Sequence, residues 1–138
     1  MDATTLSAGI VPVRHFGRER RYLLLRAYNY WDFPKGLVEK DEQPLHAALR
    51  ELGEETGLRD AELRWGGQYR ETEVYGRGKV ARYYVAACER GEVFLPVNAA
   101  LGRAEHHEFR WLSCAAAAAL LVARLQAVLA WADAVSAD

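Results

Sequence analysis

A chain of 138 residues with a formal net charge of −1, 51% hydrophobic and 27% charged, has the length of a single domain with its own apolar core. The charge balance excludes an electropositive nucleic-acid coat, and there is neither a polybasic membrane-surface arm nor an apolar run long enough to span a bilayer. The opening Met1-Asp2-Ala3-Thr4-Thr5 lacks the charged and apolar regions of a secretory leader, and Cys88 and Cys114 make neither a disulfide framework nor a thiolate metal site at their spacing. Both are expected to be buried thiols of a reducing cytoplasm.

Residues 8–13 (AGIVPV) and 22–26 (YLLLR) read as strands joined by a polar link containing Gly17, which predicts a hairpin. Three leucines in succession, Leu23 to Leu25, predict a strand covered on both faces. Residues 27–30 form a loop rich in aromatic and amide groups. Trp31-Asp32-Phe33 is a brief strand stopped by Pro34, which has no N–H to give a ladder. After Lys35-Gly36, Asp41 is expected to cap a helix with Pro44 in its first turn and Leu45, Ala48, Leu49 and Leu52 as its apolar stripe. That helix should end near Thr56, with Gly57 as a left-handed C-cap. Residues 62–70 and 72–75 look extended, and with the strand at 79–88 (KVARYYVAAC) they predict a long hairpin turning at 76–78. Residues 89–102 read as loop with a short strand at 93–95. Residues 107–112 (HEFRWL) form a last strand, and Ser113 is expected to cap one helix reaching about Val135, with Leu120, Leu121, Leu125, Val128, Leu129 and Ala132 buried. Strands, helix, strands, helix is an α+β or layered α/β/α order, not a doubly wound one.

Glu51, Glu54 and Glu55 fall at i, i+3 and i+4 of the first predicted helix and so share a face. Like charges that close repel, and a hard divalent cation with oxygen ligands relieves the repulsion. The surrounding pattern is Gly36, five residues, Glu42, seven residues, then Arg50-Glu51-Leu52-Gly53-Glu54-Glu55-Thr56-Gly57-Leu58. It fills every fixed position of the Nudix box, G-x5-E-x7-R-E-U-x-E-E-x-G-U with U aliphatic. Chance agreement is on the order of one in a billion per register at average residue usage, so the chain is identified as a member of the Nudix family. For any single glutamate the alternative is a solvated face with ion pairs such as Glu51 or Glu55 to Arg59. Glu39 and Asp41, outside the fixed positions, are read that way.

The resemblance implies one domain over residues 1–138, a mixed β-sheet sandwiched between helices, and hydrolysis of a phosphoanhydride. It implies Mg²⁺, with Mn²⁺ as a substitute, held by Glu51, Glu54, Glu55 and Gly36, while Arg50 orients a carboxylate one turn away. A further glutamate from the loop before the last strand completes the metal shell in many members; Glu105 fits that place and Glu108 competes for it. The base is left between Glu54 and Glu51. The flanks, from about Gly9 to Trp131, resemble the asymmetric diadenosine tetraphosphate hydrolases. That likeness implies Lys35 and Lys79 on the polyphosphate, Tyr83 stacked on an adenine, and His106 paired in sequence with Glu105. Tyr83 and Tyr84 point to opposite sides of their strand, so only one can face the site. Tyr30 precedes Trp31 where relatives often carry histidines, and Leu37 also replaces a histidine. The implied reaction is diadenosine tetraphosphate to ATP and AMP. Rivals are removal of a 5′-pyrophosphate from RNA, with Arg14, Arg18, Arg20 and Arg21 as a basic groove; hydrolysis of ADP-ribose or a nucleoside triphosphate; and a catalytically silent nucleotide-binding module. The expected partner is a small nucleotide, with no membrane and no stable nucleic-acid partner, for a monomer or homodimer.

Overall fold

In the computed structural model, which describes residues 4–137, the longest strand is β1 (Thr5–Phe16). Met1, Asp2 and Ala3, on which the expectation about a leader partly rests, lie outside the described residues, as does Asp138. β1 turns at Gly17 (φ 67°) into antiparallel β2 (Glu19–Ala27), as the sequence predicts. On its other side β1 runs parallel to β6 (Lys79–Ala87), and it also pairs with the short β4 (Lys35–Leu37). β3 (Tyr30–Asp32) and β9 (Glu108–Leu112) extend the sheet from β2, and β5 (Tyr69–Glu71) extends it from β6. The result is a mixed seven-stranded sheet. A side chain at Gly9 would stand 2.4 Å from the Pro34 carbonyl oxygen and 2.7 Å from the Lys35 Cβ. The absence of that side chain lets β4 lie against β1 and brings Lys35 and Gly36 to the edge of the site.

Helices cover both faces. α1 (Pro44–Thr56) buries Ala47, Ala48 and Leu52 against Ile10, Leu23, Leu25, Tyr84 and Ala86. On the opposite face α2 (Cys114–Leu120) and α3 (Ala123–Val135) bury Ala117, Leu125, Val128, Leu129 and Ala132 against Val11, Leu24, Tyr83 and Val85. The three leucines of β2 therefore alternate between two cores, and the expected sandwich is the observed one. Truncating a fully buried leucine such as Leu24 would cost about 2–5 kcal/mol.

Four expectations are corrected. Asp41 does not cap α1. It sits at φ 65° in a turn closed by the Glu42 N–H to the Glu39 carbonyl (3.0 Å), and the helix starts at Pro44 after Gln43, without a side-chain cap. The strand expected at 93–95 is absent; instead β7 (Val97–Asn98) and β8 (Arg103–Ala104) form a small hairpin, whose turn is held by Asn98 Oδ1 accepting from the Ala100 N–H at 2.9 Å. The long hairpin is mostly irregular: β5 covers residues 69–71, with isolated bridges at Glu62–Ala87 and Tyr75–Lys79. The C-terminal helix, capped by Ser113 as expected, breaks at Leu121–Val122, where the Ala118 carbonyl accepts from the Leu121 N–H (3.3 Å) and from the Gln126 side chain (2.9 Å). Cys88 and Cys114 are both free. Cys88 is buried, and its thiol is pushed up to about 12 by burial; Cys114 is half-buried. Among the described residues, no helix is long and apolar enough to cross a membrane.

Candidate active site

α1 ends where its sequence says it should. Gly57 adopts φ 77° and its N–H returns to the Gly53 carbonyl at 2.9 Å, while the Thr56 hydroxyl donates to the Leu52 carbonyl at 2.6 Å. With its buried stripe down on the sheet, the helix turns Glu51, Glu54 and Glu55 toward a cleft of about 1110 Å³.

Arg50 orders that face. Its Nε and Nη2 donate to the two Glu42 oxygens at 2.8 and 2.9 Å, a bidentate pair. Its Nη1 donates to Glu51 at 2.8 Å and to Glu54 at 3.1 Å, and its Nη2 reaches the Leu37 carbonyl at 3.1 Å. The guanidinium holds the Glu42 carboxyl down to about 2. The fixed glutamate and arginine of the box thus form a brace, and Glu42 acts on the site through Arg50. Gly36 faces Glu51 across a gap without room for a methyl group: a Cβ there would lie 2.1 Å from the Glu51 carboxyl carbon.

Glu55 is buried, and its Oε1 accepts from the Lys35 N–H at 3.3 Å. Burial, then the charges of Glu105 and Glu51, push its carboxyl up to about 10. His106 Nδ1 stands 3.9 Å from the same oxygen, and burial lowers its pKa. Glu105 lines the cleft with the box glutamates. Glu108, its competitor in the sequence, is committed elsewhere, to Arg26 at 2.8 Å and Arg110 at 2.6 Å.

The cleft is also lined by Lys35, Lys79 and Tyr30, which the flanking motifs point to, and by two residues that the sequence did not single out, Tyr75 and Arg124. The Arg124 guanidinium lies 3.8 Å from the Tyr75 ring centroid and donates to the Tyr30 hydroxyl. Arg124 had a signal of its own: it is the sole charged residue between Arg110 and Asp133. Tyr83 is the main correction. Its ring is fully buried, edge-on to Phe33 at 5.6 Å, and its hydroxyl donates to Asp32 at 2.8 Å, so it offers no face to a base. Tyr84 is buried in the opposite core. The arginines considered as a basic groove are largely occupied: Arg14 donates to the Cys88, Arg90 and Gly91 carbonyls, and Arg20 to Tyr22, Asp133 and Ser136.

Four carboxylates line the acidic wall, with His106 at its border, and such an oxygen-rich donor set suits a hard divalent cation. Among the described residues no three His, Cys, Asp or Glu side chains already form a chelate, since Glu51 and Glu54 are turned onto Arg50. The burial of Glu55 beside the charges of Glu105 and Glu51, and the Gly36 gap that admits the Glu51 carboxylate, are the features of this chain that fit a cation.

Comparison with known proteins agrees with this geometry. The family model described as NUDIX domain matches residues 3–132. Over 111 residues, 76% of this chain and 76% of the relative, the chain is 30% identical to the asymmetrical bis(5′-nucleosyl)-tetraphosphatase of Caenorhabditis elegans. Over 75 residues, 46% of this chain, it is 39% identical to an RNA pyrophosphohydrolase of Bartonella henselae, of which it spans only 43%. A crystal structure of a C. elegans Ap4A hydrolase binary complex superposes with a TM-score of 0.79 at 24% identity, covering 95% of this chain and 96% of that one, a likeness of fold. With the family model spanning nearly the whole chain, the box intact and the fold shared, the chain belongs to the Nudix family.

Proposed function

We propose that the chain is a metal-dependent Nudix pyrophosphohydrolase that cuts diadenosine tetraphosphate into ATP and AMP in the cytoplasm, with Mg²⁺ as the working ion and Mn²⁺ as a substitute. One observation carries this reading. A single cleft of about 1110 Å³ joins four carboxylates (Glu51, Glu54, Glu55 and Glu105) to the cations Lys35, Lys79 and Arg124 and to the rings of Tyr30 and Tyr75. That volume stands at the upper end of the usual span for small ligands, roughly 300–1,000 Å³, and has room for a substrate with two nucleosides and four phosphates.

Gly36 and the four carboxylates would hold the cation. Once bound, it would neutralise phosphate oxygens and make a water more acidic. Glu54 or Glu51 would take the proton of the attacking water. Glu54, with a side chain 56% exposed against 14% for Glu51, is freer to accept it. Lys35 and Lys79 balance phosphate charge, and the exposed Tyr30 ring offers a face for a base, a contact worth roughly 1–3 kcal/mol. His106 borders the carboxylates, its Nδ1 3.9 Å from Glu55.

The second reading is removal of pyrophosphate from RNA 5′ ends, favoured by the similarity to RNA pyrophosphohydrolases. The internal bonding of Arg14 and Arg20 weighs against the basic groove it would use. A silent nucleotide-binding module fits poorly with a full set of box glutamates. A chromatographic panel of diadenosine tetraphosphate, 5′-triphosphorylated RNA, ADP-ribose and nucleoside triphosphates with Mg²⁺ tests the choice. Preferred cleavage of the dinucleotide supports it, and a clear preference for RNA or mononucleotides overturns it.

A further inference from the structure

Asp32 closes β3 with a side chain only 7% exposed. Its Oδ1 accepts from the Tyr83 hydroxyl at 2.8 Å and from the Phe33 N–H at 2.7 Å, and its Oδ2 lies 3.4 Å from the Lys35 ammonium. Tyr83 cannot drift: its ring is wedged against Phe33, and one ring carbon lies 3.1 Å from where a Cβ on Gly9 would stand. Chain packing therefore fixes the hydroxyl, the hydroxyl and a backbone N–H fix the carboxylate, and the carboxylate faces the lysine.

A buried carboxylate is costly, and nothing in the apolar core around Phe33 and Tyr83 requires one. Burial pushes the Asp32 carboxyl up, and the Lys35 ammonium 3.4 Å away is the positive charge that offsets it. Asp32 does not line the cleft, so it is no candidate for touching substrate, whereas Lys35 does line it. A lysine side chain is long and flexible, and a fixed counter-charge restricts where its ammonium can be found.

We propose that Asp32, anchored by the Tyr83 hydroxyl, is a positioning residue that holds the Lys35 ammonium on the cleft wall in the path of the substrate's polyphosphate. This gives Tyr83 a role behind the site in place of base stacking. It rests on the assignment of Lys35 to phosphate made above.

The test uses the full chain with Mg²⁺ and the variants D32N, Y83F, K35M and D32N/K35M. Asparagine keeps the acceptor for Tyr83 and Phe33 and removes the charge. Lys35, already 26% exposed, can then turn into the cleft without being trapped as an unpaired buried charge. We expect D32N to raise KM for diadenosine tetraphosphate about tenfold. Its kcat should stay within about twofold and its Tm at or above the wild-type value, since a buried charge is gone. Y83F should move KM the same way by less. In the K35M background D32N should change nothing further. Binding of inorganic tripolyphosphate, measured by calorimetry, should weaken in D32N in parallel with KM. This arm separates the two ideas: a wild type that leaves the dinucleotide uncut yet binds tripolyphosphate in a D32N-sensitive way sinks the substrate reading and keeps the positioning role. A D32N variant with lowered kcat and unchanged KM, effects of D32N and K35M that simply add, or tripolyphosphate binding that is absent in wild type or indifferent to D32N overturns the proposal.

Discussion

Replacing Gly36 by alanine tests whether the site depends on the position of one carboxylate. The added Cβ would stand 2.1 Å from the Glu51 carboxyl carbon and 2.3 and 2.4 Å from its oxygens, where ordinary contact begins at 3.4 Å. The carboxylate must therefore retreat by more than an ångström. The φ of Gly36 lies outside the left-handed region, so alanine meets no backbone strain, and the atoms it strikes are the free end of a flexible side chain. The fold should tolerate the change with a stability loss under about 1 kcal/mol. The chemistry should not. A misplacement near 1 Å costs on the order of 100-fold in rate, and a displaced carboxylate about 10- to 100-fold in metal affinity. Thermal unfolding, steady-state kinetics and Mn²⁺ binding followed by electron paramagnetic resonance read the three quantities separately. Wild-type kcat/KM and Mn²⁺ affinity in folded G36A would refute the reasoning. So would collapse of the fold, since the cost would then lie in the backbone and not at Glu51.

Glu54→Gln should leave the fold intact and lower kcat by about two orders of magnitude, the worth of a general base; near-wild-type turnover at saturating Mg²⁺ removes Glu54 from that role. The protein freed of metal should lose stability as pH rises. Glu55 titrates near 10 in the fold, against its ordinary 4.5, so between those values the folded state binds more protons than the unfolded one and stability falls with pH. Tm of the chelator-treated protein should therefore decline from pH 6 to pH 9, saturating Mg²⁺ should flatten the decline, and binding should release protons near pH 7. A metal-free Tm that does not fall across that range contradicts the account of Glu55.

The first helix and its chemistry were legible because their signals are local. Spacing puts three glutamates on one face, directly beside the stripe of Ala48 and Leu52 so that Glu55 is buried with it, and a glycine where the chain must turn left-handed. The three leucines of β2 likewise announce a strand between two layers. Signals that depend on distant partners were not legible. Periodicity separates Tyr83 from Tyr84 but does not reveal that helices cover both faces there, so that at the start of β6 it is Lys79 that reaches the cleft. Asp41 has the chemistry of a cap, but the turn at residues 39–42 is tied down by Glu42, whose side chain also accepts from the Glu39 N–H at 3.0 Å and is held by Arg50. The alanine-rich helix breaks at Leu121–Val122 without a proline or glycine to announce it. Tyr75 and Arg124 come together only when the hairpin end and α3 meet at the cleft, a contact with no trace in either segment alone.

Whether this cleft hydrolyses a phosphoanhydride between two nucleosides decides the matter. Products formed from diadenosine tetraphosphate in ¹⁸O-labelled water with Mg²⁺, resolved by chromatography and mass spectrometry, address it most directly. The account predicts ATP and AMP in equal amounts, one of them carrying a single ¹⁸O, and no turnover in the presence of chelator. Two molecules of ADP, or turnover that survives the chelator, would contradict it.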